Sequence, residues 1–388
     1  MSIIFRRIAV AAAVVAITAG TGRAQENQKK QLDPAQQADV RSMVLAVDDV
    51  TSGKPGPSTL PLTWGQAYFI KAQAQKTYVP FIVQIDPAAL TAPAHMGLYL
   101  RVATHGDMEL ASTPPPPPDP KKKKGDQAQA APGRHQFTFE DVSFFDVSPT
   151  AGQPALVTRA FAVPPGDYDV YVAIEERAPD AAAPTAGGTP PADGAAPAAG
   201  TAPAAPGDAT SGKMGVVKQE LTIPNLEGAE LTTSSIIVAE KVDVLQAPLP
   251  PDRQAENPFT FGQMKITPSA THAFTKKDDL NVIFWIYGAG VDPSTKKPDV
   301  TVDFSFNRKT ADGETYFNKT EPQEMNASTL PAQFDLAAGH QLPGSLQVPL
   351  ASFPPGDYHL KITVTDKVSK NSVTRDVNFS VAPETAPQ

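Results

Sequence analysis

The pentapeptide Pro164-Pro165-Gly166-Asp167-Tyr168 occurs again, letter for letter, as Pro354-Pro355-Gly356-Asp357-Tyr358. No other feature of the chain restricts its fold as much. After the first copy Tyr168, Val170, Val172 and Ile174 fall on one side of an extended chain, and after the second Tyr358, Leu360, Ile362 and Val364 do the same. The positions between are mostly polar: Asp169 and Glu175 in one copy, His359, Lys361, Thr363 and Thr365 in the other. A period of two with one apolar face belongs to a half-buried strand of an antiparallel sheet. A Pro-Pro-Gly turn feeding such a strand predicts the entry to a penultimate sandwich strand, with a corner tyrosine bonded back to the preceding loop. Tyr168, Tyr358, Gly166, Gly356, Asp167 and Asp357 are therefore read as structural residues, the aspartates capping their turns.

The rest of the second half echoes the first in the same order. Val44-Leu45-Ala46-Val47 is answered by Ile236-Ile237-Val238-Ala239, and Pro61-Leu62-Thr63-Trp64-Gly65-Gln66 by Pro258-Phe259-Thr260-Phe261-Gly262-Gln263. Apolar strands Tyr78 to Ile85 and Leu280 to Tyr287 follow, then Leu98 to Ala103 with Val300 to Phe306, then Ala155 to Val157 with Ser345 to Val348. Conserved order with drifting offsets is what a duplicated domain with loop insertions gives. The fold class expected is all-β: two tandem immunoglobulin-like antiparallel β-sandwiches over residues 41–226 and 227–383, with a tail at 384–388. Asp312-Gly313 between alternating segments predicts a hairpin turn. The run Val282 to Tyr287 is apolar on both faces and predicts a central strand with Trp285 or its neighbours in the core.

The repeat also places the low-complexity tracts. The second copy turns from Asp366 to Val373 through a short loop, whereas the first reaches its return strand at Val217 only after an Ala/Pro/Gly tract. That tract, at 177–212, reads as an expanded hairpin loop of the first sandwich. Enlarging a loop from about four to about 36 residues adds a closure cost of only ~2 kcal/mol. A Pro and Lys tract at 112–134 swells an earlier hairpin in the same way. Both tracts are too poor in apolar residues to form a core of their own and are expected to be disordered.

Residues 1–24 have the layout of an export signal: Arg6 and Arg7, an apolar stretch from Ile8 to Ala19, and small residues at Gly22 and Ala24. The alternative is an uncleaved anchor. Residues 25–40 have no evident periodicity and read as a disordered leader. No later apolar run reaches membrane length, so no stable membrane insertion is expected once the signal is removed. There is no cysteine, which excludes disulfides, thiolate metal sites and cysteine nucleophiles. A net charge of -8 with both signs interspersed excludes the basic face that nucleic acid requires.

No motif in the chain marks catalysis, and catalytic, cofactor-binding and metal residues are all read as none. The histidines, His95, His105, His135, His272, His340 and His359, lack carboxylate or histidine neighbours at metal-ligand spacing. No Gly-x-Ser-x-Gly elbow occurs, and Pro293 stands where a dinucleotide loop begun at Gly288 needs its third glycine. Glu175 and Glu176, as strand neighbours, point to opposite faces and cannot flank one bond. Asp167 and Asp169 offer too few oxygens for calcium. Tyr171, on the outer side of its strand, is too isolated to make a glycan-stacking face.

Both halves resemble the immunoglobulin-like sandwich modules of exported bacterial envelope proteins. Pro-Pro-Gly-Asp-Tyr with its alternating strand, a segment like Leu231 to Val244 and then Pro258-Phe259 are together similar to the sandwich portion of GWxTD-domain proteins. The Gly-Trp-x-Thr-Asp signature is absent, and the resemblance implies no activity and transfers no residue role. The function expected is that of a non-enzymatic periplasmic or secreted protein whose partner is another envelope protein, or a structural spacer. The alternative is a carbohydrate-binding module protein.

Overall fold

A computed structural model of the chain describes residues 32–90, 92–111, 136–177 and 212–383. The expected signal, both insertions and the tail lie outside the described residues, except Arg177 and Gly212 at the ends of one insertion. Among the described residues the fold is all-β apart from one long helix, α1 (Pro34–Thr51), a short one, α2 (Pro251–Gln254), and a single 3-10 turn over Leu350–Ser352. The first half carries β1 (Leu62–Ala67), β2 (Ile70–Lys71), β3 (Thr77–Ile85), β4 (Ala94–Thr104), β5 (Phe139–Val147), β6 (Ala155–Val163), β7 (Gly166–Arg177) and β8 (Met214–Ile223). The second begins with β9 (Thr232–Thr233), β10 (Ile237–Val244), β11 (Thr260–Phe261), β12 (Met264–Pro268), β13 (Ala273–Phe274) and β14 (Asp279–Tyr287). It ends with β15 (Val300–Thr310), β16 (Gly313–Lys319), β17 (Gln323–Met325), β18 (Leu342–Pro349), β19 (Gly356–Asp366) and β20 (Ser372–Val381).

These strands make four sheets. The first runs β5-β4-β7-β8, and the second runs β1-β3-β2 with β6 also on β3. The third runs β11-β12-β10-β14-β18 with β9 on β14, and the fourth runs β13-β20-β19-β15-β16 with β17 on β15. The two Pro-Pro-Gly-Asp-Tyr segments open the equivalent hairpins: Gly166 faces Ile223 at the start of the β7-β8 pair, and Gly356 faces Val381 in β19-β20. Residues 178–211 therefore join two paired strands, where the repeat places them, and do not connect separate halves. The Asp312-Gly313 turn is also found, with Gly313 at φ 120° closing β15 onto β16.

Alternation explains the packing. Odd residues of β3 (Val79, Phe81, Val83, Ile85) meet Leu98, Leu100, Val172 and Ile174 in a core between the first and second sheets. Even residues of β14 (Leu280, Val282, Phe284, Ile286) meet Val302, Phe304, Leu360 and Ile362 between the third and fourth. The opposite faces of β3 and β14 are apolar too, and they bury against each other: Ile82 and Tyr68 join Ile283, Trp285, Tyr287, Phe259 and Phe261 in a junction core. Trp285 is thus buried in the joint between the halves, with its neighbour Phe284 in the second half's own core. Backbone contacts reinforce the joint, with Ser235 N donating to Phe69 O at 2.9 Å and Phe69 N to Ser235 Oγ at 2.8 Å.

Several expectations need correcting. Pro34–Thr51 is a helix, so the leader over 25–40 is not without structure at its end, and Val44 to Val47 is not the counterpart of the strand at Ile237. Asp33 caps the helix in a capping box with Gln36, and Pro34 follows the cap. Val40, Met43, Val44, Val47 and Val50 lie on one helical face and pack on Tyr99, Tyr171, Ala173 and Met214, covering the outer face of the first sheet. Tyr171 is consequently only 2% exposed. The counterpart of Leu62 to Gln66 is also different: β1 lies beside β3 as β9 and β10 lie beside β14, while Pro258 to Gln263 leads into the β11-β12 hairpin on the third sheet's far edge.

Candidate functional site

The residues singled out by the repeat hold the fold together. Tyr168 Oη donates to Pro164 O at 3.0 Å, and Tyr358 Oη donates to Pro354 O at 2.6 Å. Burial raises the pKa of both phenols, keeping them as donors. Gly166 at φ 154° and Gly356 at φ 147° start the strands in backbone that a Cβ would strain, and a Cβ on Gly356 would also come 3.2 Å from Arg308 Nε. The aspartates do not cap their turns as expected. Asp167 accepts from Thr222 Oγ1 across the ladder at 2.7 Å, and Asp357 is exposed. The Pro-Pro-Gly segment is already turned by its glycine, which leaves the carboxylates outside it.

Pairing of β4, β7 and β8 assembles a cluster that sequence spacing hides. His105, Asp169 and Glu220 place their ligand atoms within 4.8 Å of one another. Lys218 Nζ lies 3.1 Å from Asp169 Oδ1 and 3.2 Å from Glu220 Oε1, so an ammonium already supplies the cation among these carboxylates. Burial pushes the Asp169 pKa up, but hydrogen bonds from His105 and Lys218 outweigh it and hold the group below its ordinary value. The geometry is that of an ion-pair network closing the β7-β8 edge, and its donor set does not fit a divalent ion without displacing Lys218. Beneath α1, Arg101 is fully buried and bonds Asp48 at 2.7 Å and Tyr99 Oη at 3.0 Å, with Phe137 stacked 4.2 Å from its guanidinium carbon. Glu175, 6% exposed under the same helix, receives only a long bond from Ser42 Oγ at 3.4 Å.

A concavity lies where the halves meet. It is a groove of about 540 Å³ between the end of β1, the connection from Pro224 to Ile236 and the strand β20. Arg375 lines it, donating from Nε to Thr233 Oγ1 and from Nη2 to Thr232 Oγ1, at 3.0 and 3.1 Å. Its Nη1 donates to Thr374 O at 3.1 Å. Ser234 and Ser235, also on the wall, are engaged in the joint, Ser234 Oγ accepting from Trp285 N at 3.0 Å. His272 separates this groove from a second concavity of about 260 Å³. It holds φ 52°, donates from Nδ1 to Asn378 O at 3.1 Å, and leaves a buried Nε2 without a partner. Burial lowers the His272 pKa and favours the neutral ring. None of Arg375, Thr232, Thr233 and the Nε2 of His272 was singled out from sequence, because the groove exists only where the two halves touch.

No protein-family model matches the chain, and neither does any curated protein. Among solved structures, a family 123 glycoside hydrolase from Clostridium perfringens aligns at 13% identity and TM-score 0.19, over 39% of this chain and 28% of that one. Activated α2-macroglobulin of Escherichia coli aligns at 9% identity and TM-score 0.20, over 84% of this chain and 22% of that one. A Salmonella α2-macroglobulin mutant aligns at 11% identity and TM-score 0.18, over 84% and 17%. These likenesses assign no family. The chain spans less than a third of the length of each of these structures, and at such scores the similarity carries no argument about activity.

Proposed function

We propose that this chain is a non-enzymatic extracytoplasmic protein of tandem immunoglobulin-like sandwiches that binds another protein of the cell envelope. The joint between the halves supports this reading. Two sandwiches connected by a loose linker would present four sheet faces to solvent, whereas here the inner pair is buried around Trp285 and Phe261, and α1 covers a third. Burying apolar outer faces in this way holds two units in one orientation and leaves a groove at the seam, an arrangement suited to presenting a surface to a partner. The polar groups gathered elsewhere, such as His105 with Asp169 and Lys218, neutralise one another and do not converge on open space. Chemical crosslinking in envelope extract tests the proposal. A binder yields a discrete heteromeric product, and recovery of the uncrosslinked chain alone under all conditions counts against it.

A further inference from the structure

The strand β20 has one paired and one open edge. Its odd residues face β19, as the bond from Asp366 N to Asn371 O at the hairpin establishes for that phase. Its even residues turn outward: Asn378 O accepts from His272, and Ser380 N donates to His272 O at 3.0 Å. The strand β13 covers that outer edge only opposite Ser380 and Val381. From Thr374 to Asn378 no described strand covers it. Thr374 O is taken by Arg375, so the N–H groups of Thr374, Asp376 and Asn378 and the carbonyl of Asp376 remain for a partner. Thr374, Asp376 and Asn378 are all exposed.

The first half shows what such an edge accepts. Since Gly166 faces Ile223 as Gly356 faces Val381, Met214 and Val216 of β8 occupy the places of Ser372 and Thr374 of β20. There the chain covers its own edge: Leu60 N donates to Met214 O at 3.0 Å, Val216 N donates to Pro57 O at 3.3 Å, and Ser58 bridges Gly215. Nothing comparable lies on β20. In its place is the groove with Arg375, whose three bonds all go to uncharged oxygens. No carboxylate among the described residues pairs with this guanidinium, and one N–H on each of Nη1 and Nη2 has no acceptor among the described residues.

We propose that the open edge of β20 from Thr374 to Asn378 takes up an extended acidic segment of a partner protein as an added strand, one carboxylate of that segment resting on Arg375. The proposal rests on the binder reading above and names its surface. Main-chain bonds to the edge supply affinity and the groove supplies side-chain selection, the division that strand addition uses elsewhere. An unprotected edge otherwise invites aggregation, and β20 carries neither lysine nor proline to blunt it.

Panning the full chain against a displayed library of linear octapeptides tests this. Enriched peptides are expected to carry Asp or Glu amid alternating β-forming residues and to protect the amides of Asp376 and Asn378 from hydrogen exchange. Arg375→Gln should weaken such a peptide about tenfold or more, as loss of a charge-assisted pair does. Asp376→Pro removes an outward N–H without breaking a ladder bond and should abolish binding, while Asp376→Ala, which removes the carboxylate and its bond with His359 Nε2 but keeps the N–H, should retain it. Thermal melts of each variant establish that the fold persists. No enrichment, equal binding by Arg375→Gln and Asp376→Pro, protection elsewhere, or pairing of two copies through this edge overturns the proposal. If envelope crosslinks persist in both variants, the binder reading stands and this surface is wrong; if wild type itself yields none, the binder reading fails first.

Discussion

Glu175 is held where ionisation is costly. Burial pushes its pKa up from 4.5 to about 7, and Asp39 on α1 adds to the effect. The unfolded chain releases this proton at the lower value and the folded chain at the higher, so between them the folded state binds more protons and stability falls as pH rises. Above about 7 the penalty is constant. Glu175→Gln should therefore stabilise the protein at pH 8 by roughly 3 kcal/mol, at ~1.4 kcal/mol per pKa unit, and flatten the slope between about pH 4.5 and 7. Urea titrations across pH measure both; an unchanged slope in the variant sinks the assignment. The two corner tyrosines act independently in separate hairpins, so Tyr168→Phe and Tyr358→Phe should each cost about 1 kcal/mol and add in the double variant. Their role was legible because motif and acceptor lie within one pentapeptide. The His105, Asp169 and Glu220 cluster was not, since Asp169 and Glu220 lie on two strands and His105 just past the end of a third, and only the pairing register makes them neighbours.

At the level of elements, β8, β19 and β20 could be read directly, because each buries one face and its sequence alternates accordingly, whereas β7 shows one apolar face in sequence but buries both, the outer one under α1. The helix α1 was misread although its signals are local: Asp33-Pro34 with Gln36 at the start, then valines and Met43 at spacings of three and four. The short run Val44 to Val47 fits a strand equally well, and only the longer window separates the periods. The helix is tied down at both ends. Asp33→Ala should cost about 1 kcal/mol through loss of the cap. Asp48→Ala leaves Arg101 buried without its carboxylate and should cost about 3–5 kcal/mol, while exchanging both partners for apolar residues of similar size should recover most of that. Chemical denaturation midpoints of the single and double variants check the pair; equal losses in all of them would show that Arg101 is not stranded.

Across the whole molecule, stability depends on the joint as well as on the two cores. Trp285 stacks edge-on to Phe261 at 4.7 Å, and Tyr68 meets Phe259 at 5.4 Å. Trp285→Ala should cost about 3–5 kcal/mol and, by loosening the halves, split thermal unfolding into two transitions in calorimetry. A single transition that merely moves down would mean that the halves do not melt separately. The apolar run of β14 announced a strand buried on both faces, but not what covers the second face. By itself the amino-acid order determined the strand period, the duplicated hairpins and the place of the Ala/Pro/Gly tract within one of them, because a period of two and a turn motif act over neighbouring residues. Only tertiary structure decided that the outer faces of β3 and β14 bury each other, that α1 hides Tyr171, and that Arg375 lies in a groove beside an open strand, because burial and unpaired backbone depend on what distant segments bring to the same place.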